Sequence, residues 1–283
     1  MRTFWSQVQK EVKKRPKRLA FAVGLLLAIP LGGYGYWQYY QDIVPHSGRR
    51  RMMDVSREEE QRMGLASFHL LKQQYKDQIL PENHELVLAV KRIGRRIIEQ
   101  TDLQGLHWEF LVIQSDEMNA FVLPGGKVCV FTGILSVTQD EYGLATVLGH
   151  EVGHVVARHG AEKWSKMRWE RALGWLTAIL IAREEPGWLI NQFLTLFLAL
   201  PFSRKFEHEA DFIGLMLMAE AGYDPTNAVD LWIRFSAASP SMLKYLSTHP
   251  PNADRIVLLK RWMPQALDQY HKHTRPQATA VIV

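Results

Sequence analysis

The segment LGHEVGHVVARHG, residues 148–160, sets His150 and His154 four apart, with Glu151 directly after the first. On a helix, residues i and i+4 project from one face, so both imidazoles can reach a single cation. Zinc takes imidazole nitrogen at about 2.0–2.1 Å, and a catalytic zinc keeps one position for a water whose pKa falls to about 7. Glu151 is placed to take the proton of that water and return it to a leaving amine. The pattern predicts one Zn2+ per chain on His150 and His154, and amide hydrolysis with Glu151 as the base.

A third protein ligand must come from elsewhere. A histidine six residues after the second, following a glycine bend, is one solution; here position 157 is Ala and position 160 is Gly. His159, nine residues past His150, falls about 180° round an unbroken helix, which assigns it to the helix end. The stretch SRKFEHEAD, 203–211, offers Glu207 and Asp211 at i and i+4 where an apolar helix begins. Glu207 can complete a His2Glu set, and Asp211 can accept the free N–H of a ligand histidine. His208 and Glu209 are rival ligands in the same cluster, and all three acids also suit the first turn of a helix.

The elements that must position these groups are mostly helical. Ser56 and Glu59 form a capping box that opens a helix to about Leu80, and a second helix runs over about 85–100. LHWEFLVIQ, 106–114, reads as a strand, and AFVLPGGKVCVF, 120–131, as a hairpin about a Pro124-Gly125 type II turn. Thr138 and Glu141 form a second capping box, starting a helix of about twenty residues that carries the histidines and ends at Gly160. The apolar runs within 172–200 are each too short to span a bilayer and read as a helical hairpin, buried or dipping into lipid. Residues 265–283, with His271 and His273, read as a loose tail.

The 283 residues are 47% hydrophobic, which supports a substantial core. The single cysteine, Cys129, excludes an intramolecular disulfide and reads as a small core residue. Of the net charge of +5, residues 1–18 contribute +6 and leave −1 on the rest, so the basicity is terminal and a nucleic-acid partner is excluded. Leu19–Trp37 carries no charge, and its nineteen residues span roughly 28 Å as a helix. Tyr34, Tyr36, Trp37, Tyr39 and Tyr40 suit an interfacial belt. Residues 19–40 therefore predict a transmembrane anchor, with a cleaved signal peptide as the rival; the basic flank would stay on the cytoplasmic or matrix side. Residues 41–55 read as a linker, in which Arg49–Arg51 meet either lipid headgroups or solvent. The fold class is α+β, mainly α: a zincin-like domain over 56–264 with a small sheet and hairpin, behind one N-terminal span.

HEVGH, then EHEAD, then STHPPNADRI together resemble the integral-membrane gluzincin peptidases, the group of the CAAX prenyl endopeptidase and the bacterial heat-shock protease HtpX. NAFVLPGGKVCVFTGIL and LPFSRKFEHEADFIGLMLMAEAGYDP are most similar to a mitochondrial inner-membrane branch whose activity overlaps the m-AAA protease, and to its bacterial relatives. The likeness covers roughly 44–262. It implies zinc on His150, His154 and Glu207, Glu151 as catalytic base, support from Asp211, and substrate backbone bound by Asn119, Ala120 and Phe121. It also implies that His249 stands near the oxyanion. The implied partners are protein substrates at the membrane, the bilayer itself and a possible second copy of the chain. The implied place is the mitochondrial inner membrane facing the intermembrane space, or a bacterial inner membrane facing the periplasm. A zinc-stabilised scaffold without turnover is the rival of a different class; Glu151 speaks against it, since a structural site needs no base.

Overall fold

The computed structural model describes residues 31–45, 47–178, 203–237, 244–249 and 253–274, with positions 24 and 28. The basic segment 1–18, most of the anchor, residues 179–200 of the apolar hairpin and the end of the tail lie outside the described residues. Residues 31–39 are helical. Among the described residues no helix is long and apolar enough to cross a membrane.

Residues 41–55 are not a bare linker. Gln41–Ile43 (β1) and Arg50–Met52 (β2) pair antiparallel, with Asp42 opposite Arg51. Turn residues hide so short a hairpin from sequence reading, because its stabilising contacts are made with distant helices. Of the three arginines Arg50 is exposed, while Arg49 and Arg51 turn inward to protein partners. Arg51 is 6% exposed and bonds Asp42 and the Ala157 carbonyl, while Arg49 pairs with Glu162 and Glu209.

Helix α1 (Arg57–Gln74) starts where expected, with the Ser56 hydroxyl accepting from Glu59 N–H, and ends six residues earlier than the sequence suggests. Helix α2 (Glu85–Ile98) follows. Then come β3 (Glu109–Ile113), β4 (Ala120–Leu123) and β5 (Lys127–Phe131), in the spatial order β3-β5-β4. β3 runs parallel to β5 and β4 antiparallel to it. Gly125 takes φ +79° in the hairpin turn, as a type II turn requires after proline.

The strands alternate between two cores. Phe110, Val112, Val122, Val128 and Val130 join the main cluster, while Leu111, Ile113, Leu123, Cys129 and Phe131 pack under Phe68 and Leu71 of α1. Burial on both faces explains why these strands read as continuous apolar runs. The outer edge of β3 is covered, since Leu80 N–H bonds Val112 O and Gln114 N–H bonds Gln78 O. The outer edge of β4 has no strand beside it among the described residues.

A short helix α3 (Leu135–Thr138) leads into α4 (Glu141–Val156), and His159–Ala178 forms α5. The cap of α4 is Asp140, whose carboxylate accepts from Gly143 N–H at 2.8 Å; Thr138 is not the cap but the last residue of α3. Nor does α4 reach Gly160. It stops at Val156, and Arg158 adopts φ +51° before α5 begins. Helices α6 (Arg204–Glu220), α7 (Thr226–Ala237), α8 (Lys244–Thr248) and α9 (Ala253–Thr274) complete the fold. The predicted tail therefore begins as helix: α9 continues through Pro264 to Thr274, and buried Ala266 belongs to the main core. The architecture is mainly helical with small sheets, an α+β domain. Its central crossing sets α4 against α6, where Gly149 and Gly214 let the two backbones touch.

Candidate metal centre and active site

α4 and α6 bring their polar residues to one buried point. His150 Nε2 and His154 Nε2 lie 3.1 Å apart. One Glu207 carboxylate oxygen stands 3.5 Å from the first of them, and the other oxygen 3.5 Å from the second. His249, just past α8, adds Nδ1 at 3.2 Å from both His150 Nε2 and Glu207 Oε1. Donor atoms of these four residues all lie within 4.8 Å of one another. Ligands at about 2.0–2.1 Å from a tetrahedral ion are roughly 3.3 Å apart, so the spacing suits zinc. Charge agrees. Glu151, Glu207 and Asp211 are buried against one buried arginine, Arg255, an excess of two negative charges that a dication would balance.

The imidazoles are held from behind. His150 Nδ1–H donates to Asp211 Oδ1 at 2.9 Å, which turns Nε2 towards the centre. Arg255 lies over the Trp232 ring at 3.5 Å and forks onto Asp211 at 2.6 and 2.7 Å, with Nη1 on Glu207 Oε2 at 2.7 Å. Burial opposes ionisation of Glu207 and Asp211, but the charged groups around them, Arg255 among them, outweigh it and hold both carboxyls below the ordinary range. Burial likewise disfavours the His150 imidazolium, yet Asp211 and Glu207 raise its pKa to about 9. For His154 burial wins, and its ring is held neutral, as a ligand must be.

Glu151 is buried beside the centre. It accepts from Tyr245 O–H at 2.9 Å and lies 3.4 Å from His249 Nε2, and the Tyr245 and His249 rings stack with centroids 4.5 Å apart. A narrow cleft opens here, lined by Asn119, Phe121, Val122, Glu151, His154 and His249 among others. Ala120 and Phe121 lie on β4 with Asn119 just before it, and the Asn119 side chain donates to Glu117 at 3.0 Å. Phe131 N–H bonds Asn119 O at 3.0 Å, which fixes the ladder phase. By antiparallel alternation, Phe121 and Leu123 spend their peptide groups on β5, and those of Ala120 and Val122 point to the free edge.

Glu209 and His208 are not in the cluster. Glu209 accepts from His159 and Arg49, and His208 Nε2 is buried with no hydrogen-bond partner. The expectation that His159 faces away is wrong. The break at Arg158 turns it back, fully buried, with Nδ1 2.9 Å from His154 Nδ1. Sequence reasoning passed over Tyr245 and Arg255. Tyr245 sits one helical turn before His249, and Arg255 lies in the NADRI segment, but neither carries a spacing signal of its own.

The model of peptidase family M48 matches residues 87–263. The mitochondrial metalloendopeptidase OMA1 of Schizosaccharomyces pombe is 42% identical over 272 residues, covering 93% of this chain and 79% of the relative. The protein of that name in Saccharomyces cerevisiae is 35% identical over 265 residues, covering 87% and 76%. The human mitochondrial metalloendopeptidase OMA1 is 30% identical over 280 residues, covering 92% and 52%.

Proposed function

This chain belongs to peptidase family M48, and on that premise we propose that it is a zinc-dependent endopeptidase of mitochondria. The observation that carries the reading is the convergence of His150, His154 and Glu207 from two helices, with Glu151 adjoining, in a cleft beside an edge of β4 that pairs with no strand among the described residues. When bound, zinc supplies a water of lowered pKa and a Lewis acid for the scissile carbonyl. The remaining work falls to the chain. Glu151 accepts the proton of the attacking water and delivers it to the departing amine. Tyr245 O–H and His249 Nε2 both stand beside Glu151, and they stabilise the negative oxygen of the tetrahedral intermediate. The free edge of β4 holds an extended substrate by strand addition. The peptide groups of Ala120 and Val122 make the bonds, with Asn119 and Phe121 on the cleft wall.

His249 turns Nδ1 towards His150 and Glu207 and Nε2 towards Glu151, so Nε2–H is the edge of its ring that would serve the oxyanion. Asp211 keeps His150 in the liganding tautomer. Residues 19–40 anchor the chain in the inner membrane with the peptidase domain in the intermembrane space, where it cuts membrane or membrane-associated proteins in stress-linked quality control and processing. The mitochondrial names of the relatives favour this place over a bacterial inner membrane.

The test compares wild type with Glu151→Gln in bilayer nanodiscs, measuring bound zinc and cleavage of a membrane-tethered unfolded reporter. Both should hold one zinc, and only the wild type should cut. Equal cleavage by the two refutes the assignment.

A further inference from the structure

We propose that the β1–β2 hairpin is a positioning device for the metal centre, acting on the ligand His154 through Arg49, Glu209 and His159. The inference rests on the zinc-peptidase reading above. His154 is supported on its rear nitrogen by another ring: His154 Nδ1 and His159 Nδ1 are 2.9 Å apart. His159 Nε2 lies 2.8 Å from Glu209 Oε2. A carboxylate accepts only, so Nε2 of His159 carries the proton. In the neutral ring Nδ1 is then an acceptor, and His154 must donate its Nδ1–H. That leaves the lone pair of His154 Nε2 aimed at the cluster, the tautomer that binds a metal. The relay thus does for His154 what Asp211 does directly for His150.

Glu209 is held in turn by Arg49, with Nη2 2.9 Å from Oε2. The same guanidinium forks onto Glu162 of α5 with two contacts of 2.6 Å, and lies 5.3 Å over the Phe206 ring. Phe206 stacks on His159 with centroids 4.5 Å apart and an 8° tilt. Arg49 is therefore bolted to α5 and α6 at once, and it orients Glu209 across 160 residues of sequence. Its place is fixed by the hairpin: Val44 N–H bonds Arg49 O at 2.9 Å, and Arg51 ties β2 to Asp42 and to the Ala157 carbonyl at the end of the histidine helix. Helical residues 31–39 enter β1 with a single residue between them. The chain that leads out of the apolar N-terminal segment is thereby joined, through three side chains, to a zinc ligand.

The experiment uses the full chain in nanodiscs and reads zinc release to excess chelator together with kcat and KM. Glu209→Gln and Arg49→Gln should each speed zinc release about tenfold, the size expected when a partner behind a ligand histidine is lost. Arg49→Lys should recover part of the loss. The double variant should release zinc no faster than Glu209→Gln alone, because both changes cut one chain of contacts. The loss in turnover should fall on kcat rather than KM. Release within twofold of wild type in folded Glu209→Gln overturns the proposal, as does full additivity in the double variant. If Arg49→Gln does not fold, Arg49→Lys and Glu209→Gln decide the matter alone. A wild type that binds no zinc refutes the peptidase reading itself; a zinc-loaded, active wild type with unaltered release in the variants refutes only the relay.

Discussion

Adding one methyl group where the two ligand-bearing helices cross should damage the metal centre without touching a ligand. A Cβ on Gly214 would lie 2.7 Å from both Gly149 C and His150 N, and 2.8 Å from Gly149 O. These are backbone atoms inside a helix and cannot turn aside. Carbon atoms rest at about 3.5–4.0 Å, so α4 and α6 must part by roughly 0.8 Å or more at the crossing. Overpacking of this kind costs about 1–3 kcal/mol. The larger effect is on geometry. His150 adjoins the contact, and Glu207 lies on the other helix, so parting the helices would widen the grip proposed for zinc. Misplacement by about 1 Å costs on the order of 100-fold in rate. The assay is kcat/KM on a peptide substrate, with thermal unfolding and zinc content recorded on the same samples. Gly214→Ala should lose between tenfold and a hundredfold in kcat/KM and should retain less zinc. Gly105→Ala is the control, because a Cβ there meets nothing within 4 Å. Gly214→Ala with wild-type kcat/KM and an unchanged melting temperature refutes the reasoning.

Arg255→Met leaves Asp211 and Glu207 buried without their cation and should destabilise the fold by about 3–5 kcal/mol in chemical unfolding. Tyr245→Phe should keep zinc and fold and lower kcat roughly 100-fold, as expected for loss of one oxyanion donor; unchanged kcat in a steady-state peptide assay removes Tyr245 from the chemistry. Glu109 is held at about 2: burial works against ionisation, but hydrogen bonds from Lys127 and Lys72 outweigh it. A carboxyl depressed below its ordinary 4.5 stabilises the fold above that value, and the contribution is lost as pH falls from 4.5 towards 2. Glu109→Gln should therefore flatten the acid side of the stability profile, seen as urea midpoints that vary less with pH over that window.

The site was legible where its logic is local. His150, Glu151 and His154 share one helix, so their spacing sets them on one face; Glu207 and Asp211 share the first turns of another, but spacing leaves His208 and Glu209 as rivals there, and the family resemblance is what singles out Glu207. The two capped starts differ in an instructive way. Ser56 caps α1 as read, whereas Asp140, two residues after Thr138, captures α4 because Thr138 is already committed to α3. The positive φ of Arg158 left no trace in sequence, since it is a charged residue held by Glu60 and by the Val55 carbonyl, both remote in the chain. That one dihedral decides whether His159 faces solvent or supports His154. The hairpin over 41–52 and the helical residues 265–274 were missed for a related reason. Each is fixed by long-range burial, Arg51 against Ala157 in one case and Ala266 within the main core in the other.

The most direct test of the account is anomalous diffraction at the zinc edge from crystals of the wild-type protein. One peak per chain is predicted, within about 2.0–2.2 Å of His150 Nε2, His154 Nε2 and a Glu207 oxygen, with Glu209 bonded to His159 and not to the ion. A peak ligated by Glu209 or His208, or no peak between α4 and α6, would contradict it.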